Sequence, residues 1–243
     1  MQTQIEKTSS GQSAWLISLC EVLIVFLPAI LMVEFMSAWA GKDPIRSTAV
    51  IWGAYVLMFA LVWIGMKLRG DSWKDFGLTF TRVSPSEGLK SFGLSLLVFL
   101  IASLAFIMGP ILIAYFTGDQ PNADFSKYDF LKDNLGGLFL ALASVYIVSS
   151  FGEEVIFRGF LINRIAEMTK ATKYNSVIAV MLSSILFGLV HYEWGPIGMV
   201  QTGCMGLVMG ISYITLKKRL WILILAHAYM DTLLLVQIYL ASN

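Results

Sequence analysis

The chain of 243 residues is poor in charge, in cysteine and in histidine. Charged residues make up only 14% of it and hydrophobic residues 57%, whereas a soluble domain carries about a quarter of its residues charged. That excludes an ordinary soluble fold and marks an integral membrane protein. The 17 basic and 16 acidic residues leave a formal charge of +1, so the balance points to neither nucleic acid nor a polyacidic partner. The two cysteines, Cys20 and Cys204, sit in apolar runs without metal-type spacing and read as buried thiols. Three protease signatures are missing: the His-Glu-x-x-His zinc helix, the Gly-x-Ser-x-Gly nucleophile elbow and the acidic Gly-x-Gly-Asp element. No internal repeat or matched pair of Gly/Pro-broken spans is visible, which counts against a proton-coupled transporter.

What is abundant is apolar sequence in long runs. A span needs about 20 mostly apolar residues, and the stretches 14–40, 46–66, 88–116, 135–157, 175–192, 197–216 and 220–240 meet or approach that length. The expected fold is therefore an all-α polytopic bundle of seven transmembrane helices, or eight if 157–175 forms one more. It is a single membrane domain over 1–243, with a polar lead at 1–13 and the chemistry concentrated in 135–240. The first apolar run is too long for the core of a signal peptide, although Ala38-Trp39-Ala40 imitates a cleavage site. Trp15, Trp39, Trp52, Trp63, Trp194 and Trp221 fall near span boundaries, where indoles favour the headgroup level.

Lysine and arginine divide unevenly between the two sides. One side receives Lys7, the group from Lys67 to Lys90, then Arg164, Lys170, Lys173 and Lys217 to Arg219; the other receives Lys42, Arg46, Lys127 and Lys132. This places the amino terminus in the cytoplasm and the carboxyl terminus outside. The membrane would be the inner one if the source is bacterial.

The few ionisable residues inside these runs are then the informative ones, because each costs at least a few kcal/mol in a bilayer. Glu153, Glu154 and Arg158 fall in one run, and the two histidines, His191 and His227, in two others. On a helix Glu154 and Arg158 share a face, while Glu153 points about 100° away from Glu154. The two carboxylates thus meet different surroundings, as an acid/base site requires. Glu153 is the expected proton shuttle, with Glu154 and Arg158 as a brace. His227 and Asp231 also share a face, so the carboxylate can orient the ring or both can hold one water or metal ion. Phe187, one turn before His191, reads as packing against the ring. Glu21, Glu34 and Glu193 lie near interfacial tryptophans and are expected to reach water outside the site. One difficulty is depth: in a helix entering at Leu135, Glu153 lies about 27 Å along the axis, toward the opposite face from His191.

Together, Glu153-Glu154-x-x-x-Arg158, Phe187-x-x-x-His191 and His227-x-x-x-Asp231 resemble, in order and spacing, the CPBP family of CAAX proteases and bacteriocin-processing (Abi) enzymes. Gly159-Phe160-Leu161 and the Lys74-Asp75-Phe76-Gly77-Leu78 loop are similar to stretches of that family as well. The resemblance implies an intramembrane endopeptidase acting on a peptide or lipidated protein, such as a prenylated CAAX or leader-type substrate. In it Glu153 and His191 would activate water, His227 and Asp231 would stabilise the oxyanion, and Arg158 would hold Glu154. The family is also described as zinc-dependent, in which case His191, His227, Glu153 and Asp231 would be the ligands. No helix here bears two histidines, which favours the metal-free glutamate account. The rival reading is a non-catalytic scaffold or bacteriocin immunity factor on the same fold. The residues do not specify a prenyl pocket or an oligomeric state.

Overall fold

A computed structural model describes residues 2–41, 43–80, 82–118 and 123–241, with side chains from Trp15 onward and excepting that of Pro44. Lys42 of the charge comparison and the side chains of the 1–13 lead, that of Lys7 among them, lie outside the described residues. The helices in chain order are α1 (Gln2–Ala40), α2 (Pro44–Arg69), α3 (Pro85–Thr117), α4 (Leu135–Val145), α5 (Ile162–Met168), α6 (Asn175–Leu189), α7 (Gly195–Thr215) and α8 (Leu220–Leu240). Their ends follow local chemistry. The Asp43 carboxylate accepts from the N–H groups of Ile45 and Arg46, with Pro44 in the first turn, and α2 stops at Gly70, where φ is 76°. Ser84 and Asn134 cap α3 and α4 in the same way.

Between α4 and α5 the backbone does not break. Residues Tyr146–Leu161 form a π-helical segment, so that Leu135–Met168 is one rod of 34 residues. The fourth span, expected to end at 157, therefore runs eleven residues further, and Glu153 lies near the middle of the rod rather than toward one face. A π-helical stretch of this length is rare, and such widenings gather at functional sites. Ten consecutive residues of it, Gly152–Leu161, are buried, because α2, α6, α7 and α8 all pack against this segment.

Among the described residues, six helices are long and apolar enough to cross a membrane: Trp15–Ala40, Ile45–Arg69, Pro85–Thr117, Leu135–Met168, Tyr192–Thr215 and Leu220–Leu240. Between the fourth and fifth stands α6, apolar but only 15 residues long. It packs closely on α7 through glycines: a Cβ on Gly188 would lie 2.6 Å from the Met199 carbonyl oxygen, the close backbone approach that small residues permit in membranes. Outward-facing side chains such as Leu23, Ile24, Phe35, Leu100 and Leu140 are exposed and apolar, as a lipid-facing surface requires. Cys20 also faces outward, contrary to the expectation of a buried thiol, while Cys204 packs against Gly109; both are free.

Two polar devices fasten the end of the bundle where α1 begins and α2 and α5 finish. Arg164 of α5 is 2% exposed and meets Glu21 of α1 and Asp71, each at 2.6 Å, while Arg69 of α2 reaches Glu21 at 3.2 Å and Glu167 at 2.8 Å. Glu21 is thus an ion-pair partner, not a solitary group reaching for headgroup water. The second device is the loop after α2. Hydrogen bonds from the Ser72 hydroxyl and N–H hold the Asp75 carboxyl below the usual carboxylate range. Beyond it, Phe76 and Leu78 plunge into the core at 1% exposure each. Gly77 between them adopts φ 86° and accepts the Leu220 N–H, and a Cβ there would lie 1.6 Å from the Lys218 carbonyl oxygen. Both the left-handed backbone and the contact forbid a side chain. Gly77→Ala is expected to cost about 3 kcal/mol, read as a fall in thermal midpoint in detergent; an unchanged midpoint would show that the loop does not brace the α7–α8 turn.

Candidate active site

The π-helical segment carries Ser149, Ser150, Glu153, Glu154 and Arg158, and α8 brings His227 and Asp231 against them. Arg158 Nη1 lies 2.9 Å from Glu154 Oε1, with both side chains almost fully buried. The same Glu154 oxygen lies 2.8 Å from Nδ1 of His227. Arg158, Glu154 and His227 therefore form a continuous chain, and it is Glu154, not Asp231, that orients the imidazole. The opposite ring nitrogen, Nε2, faces three groups: Ser149 Oγ at 3.4 Å, Asp231 Oδ1 at 3.8 Å and Glu153 Oε2 at 3.9 Å. Asp231 is anchored from the other side by the Ser150 hydroxyl, which donates to Oδ2 at 2.7 Å. An ionised carboxylate only accepts, so Asp231 can meet a developing negative charge only through the His227 ring or a proton.

His191 arrives from the short connection after α6. Its Nδ1 lies 2.8 Å from the Phe187 carbonyl oxygen, which fixes Nδ1 as the protonated nitrogen and leaves the Nε2 lone pair free. Phe187 holds the two halves together. Its ring lies 4.9 Å from the His191 ring and 6.3 Å from that of His227, and the Arg158 guanidinium sits over it at 4.2 Å. Trp194 also meets the His191 ring, edge to face, with centroids 4.9 Å apart.

These groups surround a cavity of about 850 Å³, whose wall is mostly aliphatic and aromatic. Tyr55, Ser149, Glu153, His191, His227 and Asp231 all line it, while Glu154 and Arg158 stand behind them. The depth difficulty disappears, because Glu153 occupies mid-rod and α6 ends early, delivering His191 to the same space. Glu34 and Glu193, expected outside the site, also line the cavity; Glu193 pairs with Lys127 at 2.8 Å. Ser149, Ser150 and Tyr55 escaped the sequence reading. The two serines did leave a signal, since each stands four residues before a glutamate of the pair.

The four residues named for zinc do not form a ligand set: among the described residues no three of His, Cys, Asp and Glu converge as a metal site would require. His227 Nδ1 is taken by Glu154, and the Nε2 to carboxylate separations of 3.8 and 3.9 Å are not those of ligands drawn to one ion with bonds of about 2 Å.

Comparison with known families finds a likeness in the second half of the chain. Residues 135–233 match the family model "Type II CAAX prenyl endopeptidase Rce1-like". This segment is similar to the Rce1-like family. The match opens on the first residue of α4 and closes two residues beyond Asp231, so the Rce1-like segment holds Glu153, Glu154, Arg158, His191, His227 and Asp231 and leaves α1 to α3 outside. It agrees with the resemblance carried by the three motifs and supports a membrane-embedded endopeptidase. No curated protein and no solved structure gives a significant match.

Proposed function

We propose that the chain is an intramembrane endopeptidase of the glutamate type, cleaving a membrane-associated peptide with Glu153 as the base. The observation that carries this reading is the convergence of Glu153, His191 and the His227–Asp231 pair on one cavity within the Rce1-like segment. Peptide hydrolysis needs a base for water, a donor for the oxyanion and a proton for the leaving amine. A water held between the free Nε2 of His191 and the Glu153 carboxylate gives its proton to that carboxylate as its oxygen attacks the carbonyl carbon. The oxyanion that forms faces His227, which, ringed by Glu154, Glu153 and Asp231, donates from Nε2 as the imidazolium, with Ser149 Oγ as a second donor. Glu153 then returns the proton to the amine, and the carbon–nitrogen bond breaks. Arg158 and Glu154 hold the imidazole in place throughout.

The basic residues on the α2–α3 and α7–α8 connections support an amino terminus in the cytoplasm, which would turn the Lys127–Glu193 mouth of the cavity outward. The apolar wall suits a lipidated or membrane-anchored peptide, either prenylated at a carboxyl-terminal motif or carrying a leader. The test is cleavage by purified protein, with a prenylated peptide, its unprenylated counterpart and a leader-bearing peptide offered in parallel. Cleavage that survives a chelator within about twofold is expected. Loss of activity on chelation and its return with zinc would overturn the metal-free mechanism. Absence of cleavage, with a deletion phenotype restored by the Glu153→Ala protein, would favour the scaffold or immunity reading.

A further inference from the structure

Tyr55 belongs to α2, outside both the Rce1-like segment and the three motifs. Yet it lines the cavity beside Glu153 and directs its hydroxyl at the Glu153 carboxylate. The packing of α2 against the π-helical segment puts it there. The need for such a partner is visible on Glu153 itself. That residue is 4% exposed, and its Oε2 is enclosed without a hydrogen-bond partner, its nearest charged neighbour being His227 Nε2 at 3.9 Å. A buried carboxylate with one bare oxygen is held in place only if its other oxygen is engaged. Glu154, by contrast, is anchored by Arg158 and His227 at a single oxygen.

We infer that Tyr55 is the positioning residue of the proposed base: its phenol donates to the Glu153 carboxylate and fixes the rotamer in which that carboxylate meets the cavity and takes the water proton. This rests on the endopeptidase reading and extends it by naming the group that holds the base. It also gives α2 a part in the chemistry of the segment that begins at residue 135. A neutral donor suits the place better than a cation, since it orders the carboxylate without cancelling its charge. A phenol of ordinary acidity keeps its proton at neutral pH, so the donor role does not change with the protonation of its surroundings.

The test uses Tyr55→Phe in the full-length protein, a change that removes the hydroxyl and keeps the ring. With a cleavable peptide, kcat is expected to fall 10- to 100-fold, the loss of one hydrogen bond to a charged group, while KM stays within about twofold. A KM rise at unchanged kcat would make Tyr55 part of the substrate wall and overturn the inference. The second arm needs no turnover. The difference infrared spectrum between wild type and Tyr55→Phe isolates the phenolic C–O band of Tyr55, and that band is expected to shift when Glu153→Gln is introduced in both backgrounds. A band unmoved by Glu153→Gln would overturn the link, whatever the peptide assay gives. If no peptide is cleaved but the band shifts, the endopeptidase reading fails while the Tyr55–Glu153 contact stands.

Discussion

Glu153→Gln is expected to reduce kcat by a factor on the order of 10³, within the range removed with a general base, and to leave the fold intact. Glutamine keeps the volume and can still accept the Tyr55 hydroxyl, so the wall of the cavity does not collapse. What disappears is the carboxylate that takes a proton from water on the His191 side and hands it to the leaving amine. Stability should move the other way or not at all. Glu153 is a nearly buried carboxylate with an unpartnered oxygen, and replacing such a charge by a neutral amide relieves desolvation. A thermal midpoint at or above that of wild type, together with lost turnover, is the signature of a site that trades stability for activity. Turnover within a few fold of wild type would remove Glu153 from the mechanism and leave His191 as the base.

Arg158→Leu should have the largest effect on folding. The guanidinium is 1% exposed and neutralises a Glu154 side chain that is fully buried. Removing one partner of a buried pair strands the other charge, at a cost of about 3–5 kcal/mol. The Arg158 contact with the Phe187 ring is lost too, and through Phe187 the seating of both histidines. The double variant Glu154→Leu/Arg158→Leu separates the two contributions. Replacing both charges by apolar groups is neutral or stabilising in many proteins, so it should recover most of the lost midpoint. It should not recover hydrolysis, because His227 Nδ1 would have no acceptor and the ring no fixed direction. A single variant as stable as wild type, or a double variant that regains activity, would contradict the Arg158–Glu154–His227 chain.

How much of this could be read from residue order depends on how local each relation is. Glu154 and Arg158 share a helical face by spacing alone, and their contact follows. The restraint on His227 does not, since its acceptor lies 73 positions away in the sequence and only the packing of α8 on the rod brings them together. The spacing of His227 and Asp231 suggested a direct bond that is absent; at 3.8 Å the carboxylate instead turns to Ser150. The π-helical widening has no hydropathy signature, because Gly152–Leu161 is buried all round and so shows no amphipathic period. That is also why the fourth span seemed to stop at 157: Arg158, Asn163 and Arg164 interrupt the hydropathy although each has a partner inside the protein. The overall architecture was easier, since long apolar runs and their tryptophans are dictated by the bilayer itself. Tyr55 illustrates the reverse case, a tyrosine in an apolar run that nothing in the sequence distinguishes from an interfacial one.

The brevity of α6 has a consequence for the membrane around the protein. Its 15 residues reach about 22 Å at 1.5 Å per residue, against a hydrocarbon layer of about 30 Å. Lipid beside it must either dip to meet its end or leave the His191 turn below the mean headgroup level, and a dip costs only a fraction of a kcal/mol per Å. Where the lipid dips, the aqueous phase comes closer to the histidine that hydrolysis asks to hold a water. The short helix thus shapes the solvent as well as the site.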